Sequence, residues 1–244
     1  MNMTSILFKR EFASFFATPV AYVFILIFLM LSGVFTFNIG SFYERGQADL
    51  LPFFNFHPWL YLFLVPAMAM RAWSEERKSG TVELLMTLPI TPWQATLAKF
   101  LAGWAVLGLS LLLTFPLWLT VNYLGSPDNG IIIAAYLGSW LMSGAFLAIG
   151  VCMSALTKSQ VIAFILSVVV CFLFVLSGSG VVLDTFQGWL PTVLLDTIAS
   201  FSFMTHFESM SKGIIALNNL VYFFIVIAVW LYASLVIIER KKAD

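Results

Sequence analysis

Six long apolar runs constrain the fold of this chain more than any other feature. Each is about 20 residues or longer, the length that a helix needs to cross the hydrocarbon core of a bilayer. None of them carries a charged side chain in its middle. The runs are Val20–Ile39, Phe53–Ala72, Leu97–Tyr123, Ile131–Leu156, Val161–Leu183 and Leu217–Ile238. The sequence therefore predicts an all-α, polytopic membrane protein in which a single transmembrane domain occupies residues 1–244.

Composition and charge support this prediction and orient the chain. Hydrophobic residues make up 61% of the sequence, well above the roughly 45 to 50% that is usual in soluble domains. If both termini are cytoplasmic, all the Lys and Arg residues except Arg45 and Lys212 lie in cytoplasmic segments, as the positive-inside rule requires. We therefore expect six transmembrane helices with both ends in the cytoplasm. The formal net charge is +0, so no basic field indicates a nucleic-acid partner.

Residues 4–18, before the first run, are predicted to form an amphipathic helix in the membrane interface. Four phenylalanines fall at helical spacing on one face, opposite Arg10 and Ser14. They are Phe8, Phe12, Phe15 and Phe16. The alternative is that this segment is simply the start of the first transmembrane helix.

The sequence offers no catalytic constellation, so we expect that the chain itself is not an enzyme and binds no cofactor or metal. Charged groups in the middle of a span, which usually mark ion paths, are absent from the six runs. A phosphate-binding loop is also absent. The run "VLSGSG", 175–180, resembles a nucleotide-binding signature, but its small residues are better explained by close packing. Met204, His206 and Met210 form an alternative copper-ligand set, because thioethers and imidazole suit copper.

A charged segment, 74–90, separates the second and third runs. Ser74 is predicted to cap a short helix that begins with Glu75 and Glu76 and ends at Gly80. Thr81 would cap a second helix over 82–88, and a capping box at Thr91 would begin the third span. A solvated loop explains the basic residues but not the glutamates or the apolar face of the second helix. A docking surface for a cytoplasmic partner explains both.

The run "EERKSGTVELLMTLPIT", 75–91, with Lys99–Leu101 beyond it, closely resembles the cytoplasmic segment of ABC-2 type permeases, the membrane subunits of ATP-binding cassette exporters. A second run, "THFESMSKGII", 205–215, resembles the branch of gliding-motility and nitrous-oxide-reductase maturation permeases. Ala98 departs from the family, in which many members have glycine. The resemblance covers essentially the whole chain and implies a multi-pass protein of the inner membrane.

The resemblance also implies partners and site residues. A cytoplasmic ABC ATPase, which would use ATP and Mg, would contact a coupling helix between the second and third spans. A second permease chain would complete a homodimer or a related heterodimer. Membrane lipids would surround the dimer, and periplasmic or auxiliary membrane subunits are further possible partners. The residues implied in coupling are Glu75, Glu76, Arg77, Gly80, Thr81, Glu83 and, in a second contact, Lys158.

Two further groups of residues complete the predicted sites. The outer segment, 184–213, resembles the short outer helices of the family, and His206, Glu208 and Lys212 are its candidate gate residues. Gly144, Ala148 and Cys152 place small side chains on one face of the fourth span, which favours close helix packing. Whether that face meets a second chain or another span of the same chain is open from the sequence.

The sequence therefore predicts the permease subunit of an ATP-driven exporter. One alternative is the membrane component of a maturation or assembly system that acts on an outer-face protein. The other is a metal-handling or scaffold protein without ATP coupling. No set of residues selects a substrate.

Overall fold

The computed structural model describes residues 3–81, 90–186 and 191–241. Within these ranges the chain is helical and contains no strand. The helices before the fourth predicted span are α1 (Met3–Ala17), α2 (Val20–Val34), α3 (Leu51–Asn55), α4 (His57–Ala69), α5 (Arg71–Ser79), α6 (Pro92–Leu112) and α7 (Phe115–Leu124). The remainder are α8 (Asn129–Leu156), α9 (Gln160–Leu176), α10 (Gly180–Phe186), α11 (Thr192–Ser200), α12 (Phe203–Ser211) and α13 (Leu217–Lys241). A π-helical turn, Phe35–Ile39, extends α2.

Helix α8 forms the centre of the bundle. It contacts α4, α5, α6, α9, α12 and α13. Every side chain from Leu141 to Ala155 is buried, as expected for a helix that is apolar on all sides. By contrast, α2, α9 and α13 each present a row of exposed large apolar side chains, so these helices form the periphery that a bilayer would cover.

Within the described ranges, four helical stretches are long and apolar enough to cross a membrane. They are Val20–Ile39, Pro92–Leu124, Asn129–Leu156 and Leu217–Lys241. These four confirm long helices at the first, third, fourth and sixth predicted runs. The second and fifth runs were expected to be continuous long helices, and in that respect the prediction is wrong.

The second run is interrupted because it contains three prolines within or beside it. Pro52 and Pro58 lie in the first turns of α3 and α4, and Pro66 lies inside α4. Since proline has no N–H to donate and its ring crowds the preceding turn, helices begin at such residues or deform around them. Phe56 and Met70 separate the three helical pieces, and α4 has 13 residues, about 20 Å of helix.

The fifth run ends early, at Leu176. The next residues form a turn in which Gly178 lies so close to Ser202 that an added methyl group would overlap its side chain. The packing interpretation of the "VLSGSG" run is thereby confirmed. Helices α10, α11 and α12 follow, in agreement with the short helices predicted for the outer segment, and Phe203, Phe207 and Met210 anchor α12 in the core.

The third run begins as predicted and then breaks. Thr91 accepts a hydrogen bond from the Gln94 backbone, and the Gln94 side chain accepts one from the Thr91 N–H, so the capping box is confirmed. After Leu112 the chain turns, and Pro116 lies in the first turn of α7. The Thr114 hydroxyl, which is 2.6 Å from the Leu111 carbonyl oxygen, occupies this turn.

The small-residue face of the fourth run is buried against other helices of the same chain. A side chain at Gly144 would meet Trp104 of α6 and Ile227 of α13. Ala148 and Cys152 are buried in the same core. In the structure, these residues therefore pack helices of one chain against each other.

Helix α1 is amphipathic, as its sequence predicts. Phe12, Phe15 and Phe16 pack against the core, whereas Arg10 and Ser14 are exposed. Its main neighbour is α6.

Candidate coupling site

Helix α5 is the described part of the predicted coupling segment. It begins directly after Met70, so the prediction that Ser74 is its cap is wrong: Ser74 is buried, and its hydroxyl donates back to the Met70 carbonyl. The predicted end is confirmed, because Gly80 adopts a left-handed conformation with φ of 73° and its N–H bonds to the Glu76 carbonyl. Such a conformation strongly favours glycine. The second helix predicted over 82–88, with Glu83, lies outside the described residues.

A side chain of α8 forms hydrogen bonds with the backbone groups at the break between α4 and α5. The Ser154 hydroxyl lies 3.0 Å from the backbone nitrogens of both Trp73 and Ser74 and donates to the Met70 carbonyl oxygen at 2.8 Å. In effect, α8 supplies the cap that α5 lacks in its own sequence. Gly150, one turn earlier, allows the close approach, since a methyl group there would overlap Ala69.

Two basic side chains also bind the exposed end of α8. The Arg77 guanidinium donates to the Ala155 carbonyl oxygen at 2.5 Å. Lys241, at the end of α13, donates to the next carbonyl, that of Leu156. Cations at the C-terminus of a helix are stabilised by its dipole, so α5 and α13 are both attached to the end of α8.

Lys99 forms a largely buried ion cluster with two glutamates. Its Nζ lies 2.7 Å from Glu76 Oε1 and 3.3 Å from Glu11 Oε2, and 5.2 Å from the centre of the Trp73 ring. Burial would raise the pKa of Glu11, but the charges of Lys99 and Arg10 outweigh it and hold that pKa below its usual value. The cluster joins α1, α5 and α6.

The predicted coupling residues thus separate into two groups. Glu76 and Arg77 point into the chain and make the contacts just described. Glu75, Gly80, Thr81 and Lys158 are exposed, although Glu75 Oε2 is within 3.7 Å of the Arg71 guanidinium. The second group is available to a partner.

Sequence reasoning missed three residues at this site. Glu11 and Lys99 were each assigned to separate segments, and Ser154 appeared as one of many small residues in an apolar run. A signal existed for Lys99, because a charge two residues inside an apolar run requires compensation. The identity of its partners depends on contacts between residues 88 and 23 positions apart, which no local pattern specifies.

The candidate gate residues lie at the opposite end of the bundle. His206 is held on both ring nitrogens, by Asn219 Oδ1 at 2.8 Å and by the Ser200 carbonyl oxygen at 2.9 Å, and its ring stacks on Tyr222 at 3.9 Å. Glu208 and Lys212 form an exposed pair at 2.6 Å. His206 and that pair therefore make separate sets of polar contacts.

The same contacts weigh against the copper alternative. A metal would have to displace a hydrogen bond from His206, and Met210 is buried against Gly138. Among the described residues no group of three or more His, Cys, Asp or Glu side chains is arranged to hold a metal.

Two further features lie away from the end of the bundle that contains α5 and Lys99. His57 is fully buried, with its Nδ1 2.7 Å from Ser139 Oγ, which is in turn 2.8 Å from the Tyr61 hydroxyl. A cavity of about 300 Å³ opens at the end opposite α5, and Asp49, Asp128 and Lys212 are among its lining residues. This cavity brings together segments that were predicted to be outer loops.

The sequence model of the ABC-2 family transporter proteins matches residues 43–236. The chain belongs to the ABC-2 family. As a member with several long apolar helices it is a multi-pass membrane protein. Over 145 residues it is 32% identical to the inner membrane transport permease YhhJ of Escherichia coli (strain K12), and the same holds for the protein of that name in Shigella flexneri. The match covers 57% of this chain and 36% of each relative, so the chain spans about a third of their length.

Proposed function

We propose that this ABC-2 protein is the permease subunit of an ATP-driven exporter in the inner membrane. Its relative YhhJ is named as an inner membrane transport permease. A separate cassette ATPase would bind the exposed residues of the coupling segment. ATP and Mg would belong to that subunit. A second permease chain would complete the transport pathway.

The attachment of α5 to α8 is the observation that carries this proposal. Ser154 and Arg77 join the coupling segment to the most buried helix of the bundle, and Lys99 joins it to α1 and α6. A force applied to the exposed side of α5 would therefore reach the centre of the membrane domain through hydrogen bonds and ion pairs. Chains of packed side chains, hydrogen bonds and ion pairs can carry coupling between distant sites.

The positions of the charged residues favour six crossings with both termini cytoplasmic. Arg77, Lys99, Lys158 and Lys241 belong to the α5 end of the bundle, where the ends of α8 and α13 meet. The cavity at the other end gathers residues from the three predicted outer loops. On this arrangement α3 and α4 together, and α9 with the turn after it, would make the second and fifth crossings.

Charge reversal in the coupling segment tests the proposal. The chain is co-expressed with a cassette ATPase and purified through a tag on the permease. Glu75→Lys combined with Glu83→Lys should reduce the co-purified ATPase at least tenfold. The matched control is Glu208→Lys, which reverses a similarly exposed glutamate at the other end of the bundle and should leave the yield unchanged.

Glu76 is unsuitable for this test because a lysine there would oppose Lys99 and disturb the fold. Elution of the double variant as a single symmetric species by size exclusion would show that the membrane domain is intact. Unchanged recovery of the ATPase with the double variant would refute docking at this segment.

A further inference from the structure

A charged pocket of about 260 Å³ lies beside the coupling segment, between α1, α4, α5 and α6. Its charged lining residues are Glu11, Arg71, Glu75, Glu76 and Lys99. The proposed function assigns no ligand to this pocket. It is large enough to admit a small polar group. Its lining includes three carboxylates and one cation, Arg71, that is not part of the Lys99 cluster.

Glu76, which lines the pocket, has one carboxylate oxygen without a hydrogen-bond partner among the described residues. Glu76 Oε1 accepts from Lys99, but its buried Oε2 has no partner within the part of the chain that the structure describes. A buried carboxylate oxygen without a donor is costly. A donor of positive charge would satisfy it best, because hydrogen bonds between ionised groups are the strongest.

An apolar groove of about 240 Å³ continues from the pocket into the membrane-facing surface between α2 and α4. Its apolar walls are formed by Val20, Val23, Phe24, Ile27, Leu64 and Ala67. From Val20 to Ile27 the groove follows α2 for about 10 Å. Val20, Met68 and Arg71 line both the pocket and the groove, so the two cavities adjoin.

The order of chemical groups along these cavities is the order within a phospholipid. Three carboxylates and Lys99 line the pocket. Arg71, which is 3.7 Å from Glu75 Oε2, lines both cavities, and apolar side chains line the groove. An ethanolamine phospholipid has a primary ammonium, then a phosphate, then acyl chains. Arginine is well suited to bind phosphate, and an ammonium supplies the N–H donors that Glu76 Oε2 lacks.

We propose that this pocket and groove bind one phosphatidylethanolamine molecule. Its ammonium contacts Glu76 and Glu75, its phosphate contacts Arg71, and the beginning of one acyl chain occupies the groove. Choline phospholipids bind less well because their ammonium has no N–H. Since acyl chains gain little by leaving the bilayer for an apolar groove, the headgroup determines selectivity.

Lipid retention by the purified full chain tests this inference independently of any ATPase. The detergent-solubilised protein is equilibrated with an equimolar mixture of ethanolamine, glycerol and choline phospholipids with identical acyl chains, washed, and analysed by native mass spectrometry. We expect at least a threefold excess of the ethanolamine lipid over each of the others. Glu76→Gln should bring the ethanolamine and choline lipids to equal retention.

A groove-filling substitution provides the second arm. Val23→Trp should lower retention of all three lipids at least threefold, whereas Leu26→Trp, on the same helix and likewise exposed but outside the groove, should not. Equal retention of the three lipids by the wild-type chain, or a preference for the glycerol lipid, would overturn the proposal. If Glu76→Gln does not fold, the wild-type preference and the Val23→Trp result decide the question, and failure of either one counts against it.

Discussion

Lys99 lies near the start of α6 with 8% of its surface exposed, and its charge is compensated by Glu11, Glu76 and the Trp73 ring. Replacing it with methionine would leave two partly buried carboxylates facing each other. Removal of one member of a buried ion pair typically costs about 3 kcal/mol or more. We expect Lys99→Met to lower the free energy of unfolding by about 3 kcal/mol, measured by equilibrium unfolding in mixed micelles.

The exposed Lys158 provides the control for this prediction, because Lys158→Met should change stability by less than about 0.5 kcal/mol. Adding Glu76→Gln to Lys99→Met should recover part of the loss by removing one uncompensated charge. If both lysine variants are equally stable, the ion cluster does not contribute to the fold.

The lowered pKa of Glu11 gives the same cluster a pH dependence. A carboxyl whose pKa is lower in the folded than in the unfolded state stabilises the fold above the unfolded value and loses that contribution as pH falls through the folded value. Stability should therefore decline from the usual pKa of 4.5 downwards. Glu11→Gln should show a shallower decline between about pH 5 and 3, measured by unfolding at a series of pH values. An identical slope in both proteins would contradict the role assigned to Lys99 and Arg10.

At the scale of elements, the junction of α4 and α5 depends on a side chain from α8. Ser154→Ala would deprive the Trp73 and Ser74 N–H groups of their acceptor, at a cost of about 1 to 3 kcal/mol. Ser143 offers a matched comparison, since it is equally buried on α8 but donates to Trp140 in the same helix. Ser143→Ala should cost less, and equal losses in thermal unfolding midpoint would argue against the capping role of Ser154.

The helices also show how far local sequence determines this fold. The capping box at Thr91 and the end of α5 at Gly80 were predictable, because each depends on residues within one turn. Pro58 and Pro66 are visible in the sequence, and a proline such as Pro66 indicates a kink, but hydropathy alone does not place helix breaks at Phe56 and Met70. Ser154, Glu11 and Lys99 act through distant contacts, and their roles required the three-dimensional arrangement.

At the scale of the whole molecule, different helices meet at the two ends of the bundle. At one end α5 and α13 both bind the C-terminus of α8. At the other end α3, α8 and α12 line one cavity. This arrangement favours six crossings, although only four helical stretches in the described part of the chain are long enough to cross alone. With the N-terminus in the cytoplasm, the two topologies place the same residues on opposite sides. Six crossings put residues 79 and 158 inside and residue 126 outside, whereas four crossings reverse all three.

Single cysteines at exposed positions distinguish these topologies. In a background of Cys152→Ala and Cys171→Ala, we expect Ser126→Cys to react with a membrane-impermeant maleimide in intact spheroplasts. Ser79→Cys and Lys158→Cys should react only after the membrane is opened. The reverse pattern would establish four crossings and would place the coupling segment on the wrong side of the membrane for a cytoplasmic ATPase. Docking of a cytoplasmic ATPase requires residue 79 to lie inside, and six crossings place it there. Its labelling therefore decides whether the attachment of α5 to α8 can transmit the work of ATP hydrolysis.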